Sequence, residues 1–372
     1  MAEQTTLAAL GWDGWFARAF DEHRRLGRTA ARVIAVHKDT AIVRDEVSDR
    51  SAFVSGRFRH EALASSEFPA VGDWVALEPS DATTSDPVIA AVLPRRSAIR
   101  RSAGDASRRG GGRLADDQVM AANVDVALIV AGLDADFNLR RLERYLAVAW
   151  ASEVTPVLIL NKTDIADDLE GRRIAVEAIA PGVPVISMSA REGTGLETLH
   201  GHLRPGQTTV VLGSSGVGKS TLLNTLLGER RQATREVRGD DARGRHTTTH
   251  RELFALPGGA LLIDTPGIRS LEVAGADEGV RAAFDDVEQL ALGCRFTDCG
   301  HESEPGCAVR LALLEGRLER ARLEAFRKLG RELAHQTRRE DPVAAAEERR
   351  RWKQIHKAVG RQMVDKYGEE RR

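Results

Sequence analysis

Apolar and polar positions change their rhythm several times along the chain. Residues 1 to about 25 place Trp12, Trp15, Phe16 and Phe20 near helical spacing and predict one short amphipathic helix packed on the first domain. From Arg28 to about Arg96 the texture turns to short β-type runs: ARVIAVHKD, TAIVRDE, SAFVSGRF, GDWVALE and PVIAAVLP. Turn residues separate them at Lys38-Asp39, Val71-Gly72-Asp73 and Pro79-Ser80-Asp81. Short strands at this spacing predict a small barrel or sandwich, and a five-stranded OB-type barrel fits the length. Such barrels often bind RNA or DNA. The competing reading is a ligand-free β domain with Phe53, Phe58 and Trp74 as core.

Residues 97–113, SAIRRSAGDASRRGGGR, predict a flexible linker from their Gly, Ser and Arg content. At Asn123 strands begin to alternate with helices. NVDVALIVAGL, TPVLILNKTD, VPVISMSA, the run Thr208–Leu212 and ALLIDTPG are apolar strands with polar ends. NLRRLERYLAVAWAS, a segment around Leu169–Ala180, GLETLHGHL and the residues after Thr221 read as helices. This order predicts a parallel sheet covered on both faces, with ligands beyond the strands' carboxyl ends. A further helix is expected around Val280–Leu292. From Ala308 onward Leu311, Leu314, Leu318, Phe326, Leu329 and Leu333 fall mostly at three- and four-residue steps, so the end of the chain reads as helical.

A length of 372 residues predicts two or three domains. Net charge is −1, from 54 Lys and Arg against 55 Asp and Glu, so the whole chain offers no electrostatic argument for nucleic acid. No apolar run approaches a membrane span, and the N-terminus lacks a basic start and carries acidic residues, unlike a signal peptide. A cytoplasmic protein is expected. Nothing in the pattern demands self-association, so a monomer is expected, with no membrane or DNA partner. Charge is uneven, however: residues 308–372 carry 18 Lys and Arg against 11 Asp and Glu. Arg349-Arg350-Arg351-Trp352-Lys353, with Lys357 and Arg361, suits an RNA-phosphate contact with a stacking aromatic. A solvated helix face is the alternative.

The chemistry centres on GSSGVGKST: Gly213, Ser214, Ser215, Gly216, Val217, Gly218, Lys219, Ser220 and Thr221. Strand, glycine-rich turn, then helix is the context a phosphate loop requires. Its backbone N–H groups and helix N-terminus would cradle phosphates, Lys219 would reach the β- and γ-phosphates, and Ser220 would ligate Mg²⁺. Asn161-Lys162-Thr163-Asp164 matches the guanine-selecting N-K-x-D. The Asp164 carboxylate can accept from guanine N1–H and N2–H₂ together, a pairing adenine cannot supply. Ser189-Ala190 resembles the small-residue loop beside guanine O6.

Asp264-Thr265-Pro266-Gly267 matches D-x-x-G, with Asp264 near Mg²⁺ and the Gly267 N–H sensing the γ-phosphate. Between these motifs Arg230–His250 is polar and suits a switch segment, with Thr248 the expected Mg²⁺ hydroxyl and Thr247 and Thr249 close alternatives. The guanine motif precedes the phosphate loop, so the usual motif order is circularly permuted. Ile268 stands where many GTPases place a water-orienting Gln, so unaided hydrolysis is expected to be slow. His246 is the candidate to orient that water, against a surface histidine with no catalytic part.

All three cysteines fall in one short segment, Cys294, Cys299 and Cys307, together with His301. Three thiolates and one imidazole predict a closed, structural zinc site rather than buried free thiols or a disulfide framework.

With these residues in hand, the chain closely resembles the ribosome small-subunit-dependent GTPase A family (RsgA, also called YjeQ). FPAVGDWVAL, DFNLRRLERYLAVAW, NKTD, GSSGVGKSTLLN, GRHTTTH, DTPG and the Cys294/Cys299/His301/Cys307 spacing carry the resemblance over about residues 11–335. It implies an OB-fold β-barrel, a circularly permuted α/β P-loop GTPase domain and an α-helical zinc-binding domain. With the readings above, the multidomain chain is expected to divide into an N-terminal helix (1–27), the barrel (28–97), a linker (98–114), the GTPase domain (115–278), the zinc-binding domain (279–335) and a basic tail (336–372). It also implies a GTP phosphohydrolase of late 30S maturation, binding near the decoding region and stimulated by the subunit. His246 would fall on the histidine proposed as catalytic in the family. The alternatives are an RNA-binding checkpoint module gated by GTP with incidental hydrolysis, and a large-subunit permuted GTPase.

Overall fold

The β-type texture of the N-terminal region becomes a closed five-stranded barrel. A computed structural model describes residues 6–37, 40–62, 64–79, 86–101, 118–228, 251–264 and 277–340. The predicted linker from residue 102, the switch segment with His246 and Thr247–Thr249, Thr265–Ile268, and the tail from 341 lie outside the described residues.

Where one N-terminal helix was expected, the chain makes a 3-10 turn at Leu7–Leu10 and two short helices, α1 (Gly14–Ala19) and α2 (Asp21–Arg25). The break has local causes. Gly11 adopts φ +87°, and a Cβ there would stand 2.7 Å from the Gly206 carbonyl oxygen. Asp13 then restarts the helix by accepting from the Trp15 and Phe16 N–H groups at 2.9 and 3.3 Å. Phe16, Phe20 and Leu10 pack around the fully buried Trp74, together with Ala30, Ala76 and Leu93.

The barrel strands are β1 (Thr29–Val36), β2 (Ala41–Arg44), β3 (Asp49–Val54), β4 (Trp74–Leu77) and β5 (Val88–Val92), with helix α3 (Gly56–Glu61) between β3 and β4. They run in the order β1-β2-β3-β5-β4, and β4 closes on β1 from Thr29↔Leu77 to Arg32↔Trp74. The β3–β5 pair is parallel and the others antiparallel. Alternate residues Ala31, Val33, Val43, Ala52, Val75, Leu77 and Ile89 fill the interior. The first part of the expected linker is ordered sheet: β6 (Ala98–Arg101) pairs antiparallel with β7 (Gln118–Ala122).

The central sheet contains β8 (Val126–Gly132), β9 (Thr155–Asn161), β10 (Val185–Ser187), β11 (Thr208–Leu212), β12 (Glu252–Ala255) and β13 (Leu261–Asp264). Its order is β10-β9-β8-β11-β13-β12. Five of these strands are parallel, as the alternation predicted, but β12 is antiparallel to β13. This strand, part of the ELFAL-PGG-ALLID hairpin, was not anticipated as sheet. Period-two alternation divides the core: Ala127, Ile129, Leu158, Leu160, Val210 and Leu212 face one cluster, while Leu128, Val130, Val157, Ile159 and Val211 face the other. Helices α4 (Leu139–Ala151), α5 (Leu169–Ile179), α6 (Leu196–His200) and α7 (Lys219–Leu227) connect the strands.

Barrel and central sheet are continuous, because Ala35 of β1 pairs with Glu252 of β12. Buried Arg32 ties the same junction, donating to the Leu10 carbonyl at 2.9 Å and to Thr208 Oγ1 at 3.0 Å.

The C-terminal helices are α8 (Asp277–Ala283), α9 (Asp285–Ala291), α10 (Ala308–Leu314) and α11 (Arg320–Glu340). The helix expected over 280–292 is divided at Phe284, which leaves helical geometry (φ −124°, ψ 36°) and starts a second helix whose first turn is acidic. Phe284 is fully buried against Phe326. Arg322 fastens this module to the central domain: it donates to Glu143 of α4 at 2.8 Å, to Asp286 at 2.8 and 3.1 Å, and to the Ala283 carbonyl at 2.7 Å.

Candidate nucleotide site and metal centre

The phosphate-loop sequence lies where a parallel sheet places ligands, between the end of β11 and the start of α7. Its glycines are used for different purposes. Gly213 has φ +149°, and a Cβ there would meet the Val130 carbonyl oxygen at 2.5 Å. Gly218 precedes α7 at φ +97°, and a Cβ there would stand 2.2 Å from Asn161 Nδ2. Both positions exclude a side chain on conformation and on space. Lys219 donates to the Gly213 and Ser214 carbonyls at 2.8 and 2.5 Å, so its ammonium lies across the loop that its own backbone forms. Ser220 and Thr221 occupy the first turn of α7, and Ser215 and Gly216 are exposed at the loop's crest.

The two guanine-type loops are adjacent to this one and bonded to it. Asn161, buried at the end of β9, donates from Nδ2 to the Val217 carbonyl at 2.8 Å and accepts at Oδ1 from the Ala190 N–H at 2.9 Å. One amide thereby joins all three loops. Thr225 Oγ1 adds a link from α7 to the Ala190 carbonyl at 3.0 Å, and the Thr163 N–H donates to the Met188 carbonyl at 3.2 Å. Asp164 is exposed, with Oδ1 accepting from Ser189 Oγ at 2.7 Å. Ser189 itself is fully buried, and its N–H reaches Thr194 Oγ1 at 3.1 Å. Asp264 ends β13 and is part-buried. Its strand runs beside β11 with Ile263 opposite Val210, at the level where the phosphate loop departs.

Lys162 takes the left-handed conformation, φ +70°, which costs a residue with a side chain about 1–2 kcal/mol. Its ammonium is held by Asp134 at 2.5 Å. Asp136, two residues along the same loop, accepts from Ser214 Oγ at 2.8 Å and pairs with Arg141 at 2.5 Å. Burial opposes ionisation of Asp134, but the Lys162 hydrogen bond and the Asp136 N–H outweigh it, so its pKa lies below the ordinary carboxylate value. The Arg141 hydrogen bond does the same for Asp136. Neither acid was anticipated from the sequence, although their place directly after a parallel strand was a usable signal.

The metal-type residues also converge. Ligand atoms of Cys294, Cys299, His301 and Cys307 all lie within 4.8 Å of one another, so this cluster could hold one metal ion. The Cys294 and Cys307 sulfurs are 3.8 Å apart, and His301 Nδ1 is 3.6 and 3.5 Å from them. His301 turns toward the sulfurs from a left-handed backbone, φ +59°. Cys307 caps α10, accepting from the Arg310 N–H at 3.5 Å. The loop is fastened further by Glu304, whose carboxylate accepts from the Gly300, Glu302 and Ser303 N–H groups at 2.8, 2.8 and 3.0 Å. Arg327 of α11 donates to the His301 carbonyl.

Comparison with known proteins gives consistent matches. The family model described as RsgA GTPase matches residues 92–274. The small ribosomal subunit biogenesis GTPase RsgA of Opitutus terrae is 49% identical to this chain, over 94% of this chain and 96% of that protein. The protein of the same name from Syntrophotalea carbinolica is 42% identical, over 94% and 95%. Among solved structures, YjeQ from Thermotoga maritima is similar with a TM-score of 0.60 and 27% identity, covering 82% of this chain and 99% of that one.

Proposed function

The chain belongs to the RsgA GTPase family, and on that premise we propose that it hydrolyses GTP to GDP and phosphate while acting in late maturation of the small (30S) ribosomal subunit. The observation that carries the nucleotide assignment is the buried Asn161 amide, which bonds the N-K-x-D loop to the phosphate loop and to the Ser189-Ala190 loop. In this reading Asp164 accepts guanine N1–H and N2–H₂. Ser189 fixes its orientation through one carboxylate oxygen.

The backbone N–H groups from Gly213 to Thr221 bind the phosphates, and Lys219 exchanges its loop carbonyls for β- and γ-phosphate oxygens. Ser220, Asp264 and Thr248 would hold Mg²⁺, which when bound neutralises charge between the β- and γ-phosphates. The Gly267 N–H senses the γ-phosphate. Because Ile268 cannot position water, His246 orients it, and the transition state is stabilised by positioning and electrostatics.

Cys294, Cys299, His301 and Cys307 would hold zinc in a structural role. Tetrahedral Zn–S and Zn–N bonds of about 2.3 and about 2.0–2.1 Å imply S···S edges near ~3.8 Å and S···N edges near ~3.5 Å. The three edges of the Cys294–His301–Cys307 face, 3.8, 3.6 and 3.5 Å, match those values, and Cys299 is the fourth ligand, within 4.8 Å of the other three. The barrel (28–97) and the basic tail (336–372) contact 16S rRNA, and the protein acts as a cytoplasmic monomer. No helix among the described residues is long and apolar enough to cross a membrane.

Ile268 also favours a second reading, a GTP-gated RNA-binding module whose turnover is incidental.

The site assignment is tested by Asp164→Asn. An amide can donate to the xanthine O2 that replaces guanine N2–H₂, so GTP affinity should fall at least about a hundredfold while xanthosine triphosphate affinity rises. Equal affinity of the variant and native chain for GTP would contradict it. Cosedimentation with purified 30S subunits in the presence of a non-hydrolysable GTP analogue, and not with 50S, tests the partner.

A further inference from the structure

The loop after β8, Leu133–Asn138, puts two carboxylates beside a pocket that is built, in the reading proposed above, for a polyanion. On electrostatics alone that is unfavourable, since each acid repels bound phosphate. Both are neutralised by specific partners: Asp134 by Lys162 at 2.5 Å and Asp136 by Arg141 at 2.5 Å. Each also reaches a different nucleotide loop. Asp134 grips the guanine loop through Lys162, and Asp136 accepts from Ser214 of the phosphate loop at 2.8 Å.

The loop carrying them is itself fixed. Asp134 Oδ1 accepts from the Asp136 N–H at 3.1 Å, Asn138 caps α4 by accepting from the Arg141 N–H at 3.1 Å, and the Phe137 ring lies 5.3 Å from the Arg172 guanidinium of α5. Lys162 needs such an anchor. Its backbone is left-handed, its stem has four rotatable bonds, and it lies two residues from Asp164.

We propose that Asp134 is a positioning residue for guanine-nucleotide binding: its carboxylate holds the Lys162 ammonium, so that the lysine stem and the N-K-x-D backbone are preorganised against the base. The proposal rests on the nucleotide site proposed above. Asp134 raises affinity through Lys162, while its bond to the Asp136 N–H is one that an asparagine oxygen at the same position can keep. Because the pair lies at the base end, it contributes to GDP and GTP binding alike.

The test is a double-mutant cycle read as equilibrium affinity of the full chain for GDP and for a non-hydrolysable GTP analogue. Asp134→Asn is expected to weaken both by about tenfold, the usual scale for a hydrogen bond to a charged group. Lys162→Ala should weaken both at least as much, and the double variant should be no worse than Lys162→Ala alone. Asp134→Glu, which keeps the carboxylate, should stay within about threefold of the native affinity.

Losses that multiply in the double variant would overturn the proposal, because a purely structural Asp134 would act independently of Lys162. So would an unchanged affinity in Asp134→Asn, or a loss in Asp134→Glu as large as in Asp134→Asn. Unchanged affinity in Lys162→Ala would instead overturn the nucleotide-site reading, and this inference with it.

Discussion

Asn161 spends both ends of its amide on backbone, at Val217 and Ala190, and Gly218 is the residue that makes room for it. Gly218→Ala should therefore displace that amide and strain φ +97° together. The expected result is at least a tenfold loss of GTP affinity with the fold retained, measured by nucleotide titration beside circular dichroism.

The Asp134–Lys162 pair makes a pH prediction at the same scale. Asp134 titrates below its usual value in the folded chain, so its contribution is complete above the unfolded carboxylate pKa of about 3.9. It is lost only as pH falls through the lower folded value. GDP affinity should thus show no loss from this pair between pH 8 and pH 5, whereas a midpoint near 6 would contradict the assignment. The residues of the N-K-x-D motif were legible from type and spacing. Their supports were not, because an aspartate in a loop carries no sequence mark of the lysine it meets 28 positions away.

Among the elements, long buried strands such as Val126–Gly132 and Thr155–Asn161 were visible as apolar runs, and the five barrel strands as short runs between turns. What escaped were elements whose existence depends on a partner. Glu252–Ala255 is four residues long and is a strand because β13 and β1 flank it. The single helix expected over 280–292 divides because Phe284 turns into a pocket beneath Arg322 and Phe326.

That pocket shows what holds the C-terminal module in place. Glu143 is fully buried and is paired with Arg322 and Arg140. Arg322→Met leaves a buried carboxylate with one partner and should destabilise the chain by about 3 kcal/mol in urea unfolding. Replacing Glu143 with Leu in the same chain should recover most of that loss. On the zinc reading, a chelator should loosen the Cys294–Cys307 loop and α10 while leaving GDP affinity largely intact, because α7 and the phosphate loop pack in a different cluster. Hydrogen exchange with and without chelator distinguishes that local loosening from global unfolding.

Across the whole molecule, the barrel is joined to the element from which the D-x-x-G motif departs. Ala35 of β1 pairs with Glu252, and Glu252 pairs with Asp264, so three strands put barrel and candidate Mg²⁺ ligand in one cross-strand row. The circular permutation lets the C-terminal module follow the same motif in the chain.

The most direct test is GTP hydrolysis by the purified chain alone, with 30S subunits and with 50S subunits, using Lys219→Ala as the blank. Slow turnover alone and large stimulation by 30S only are expected. Equal stimulation by 50S, or none by either subunit, would contradict it.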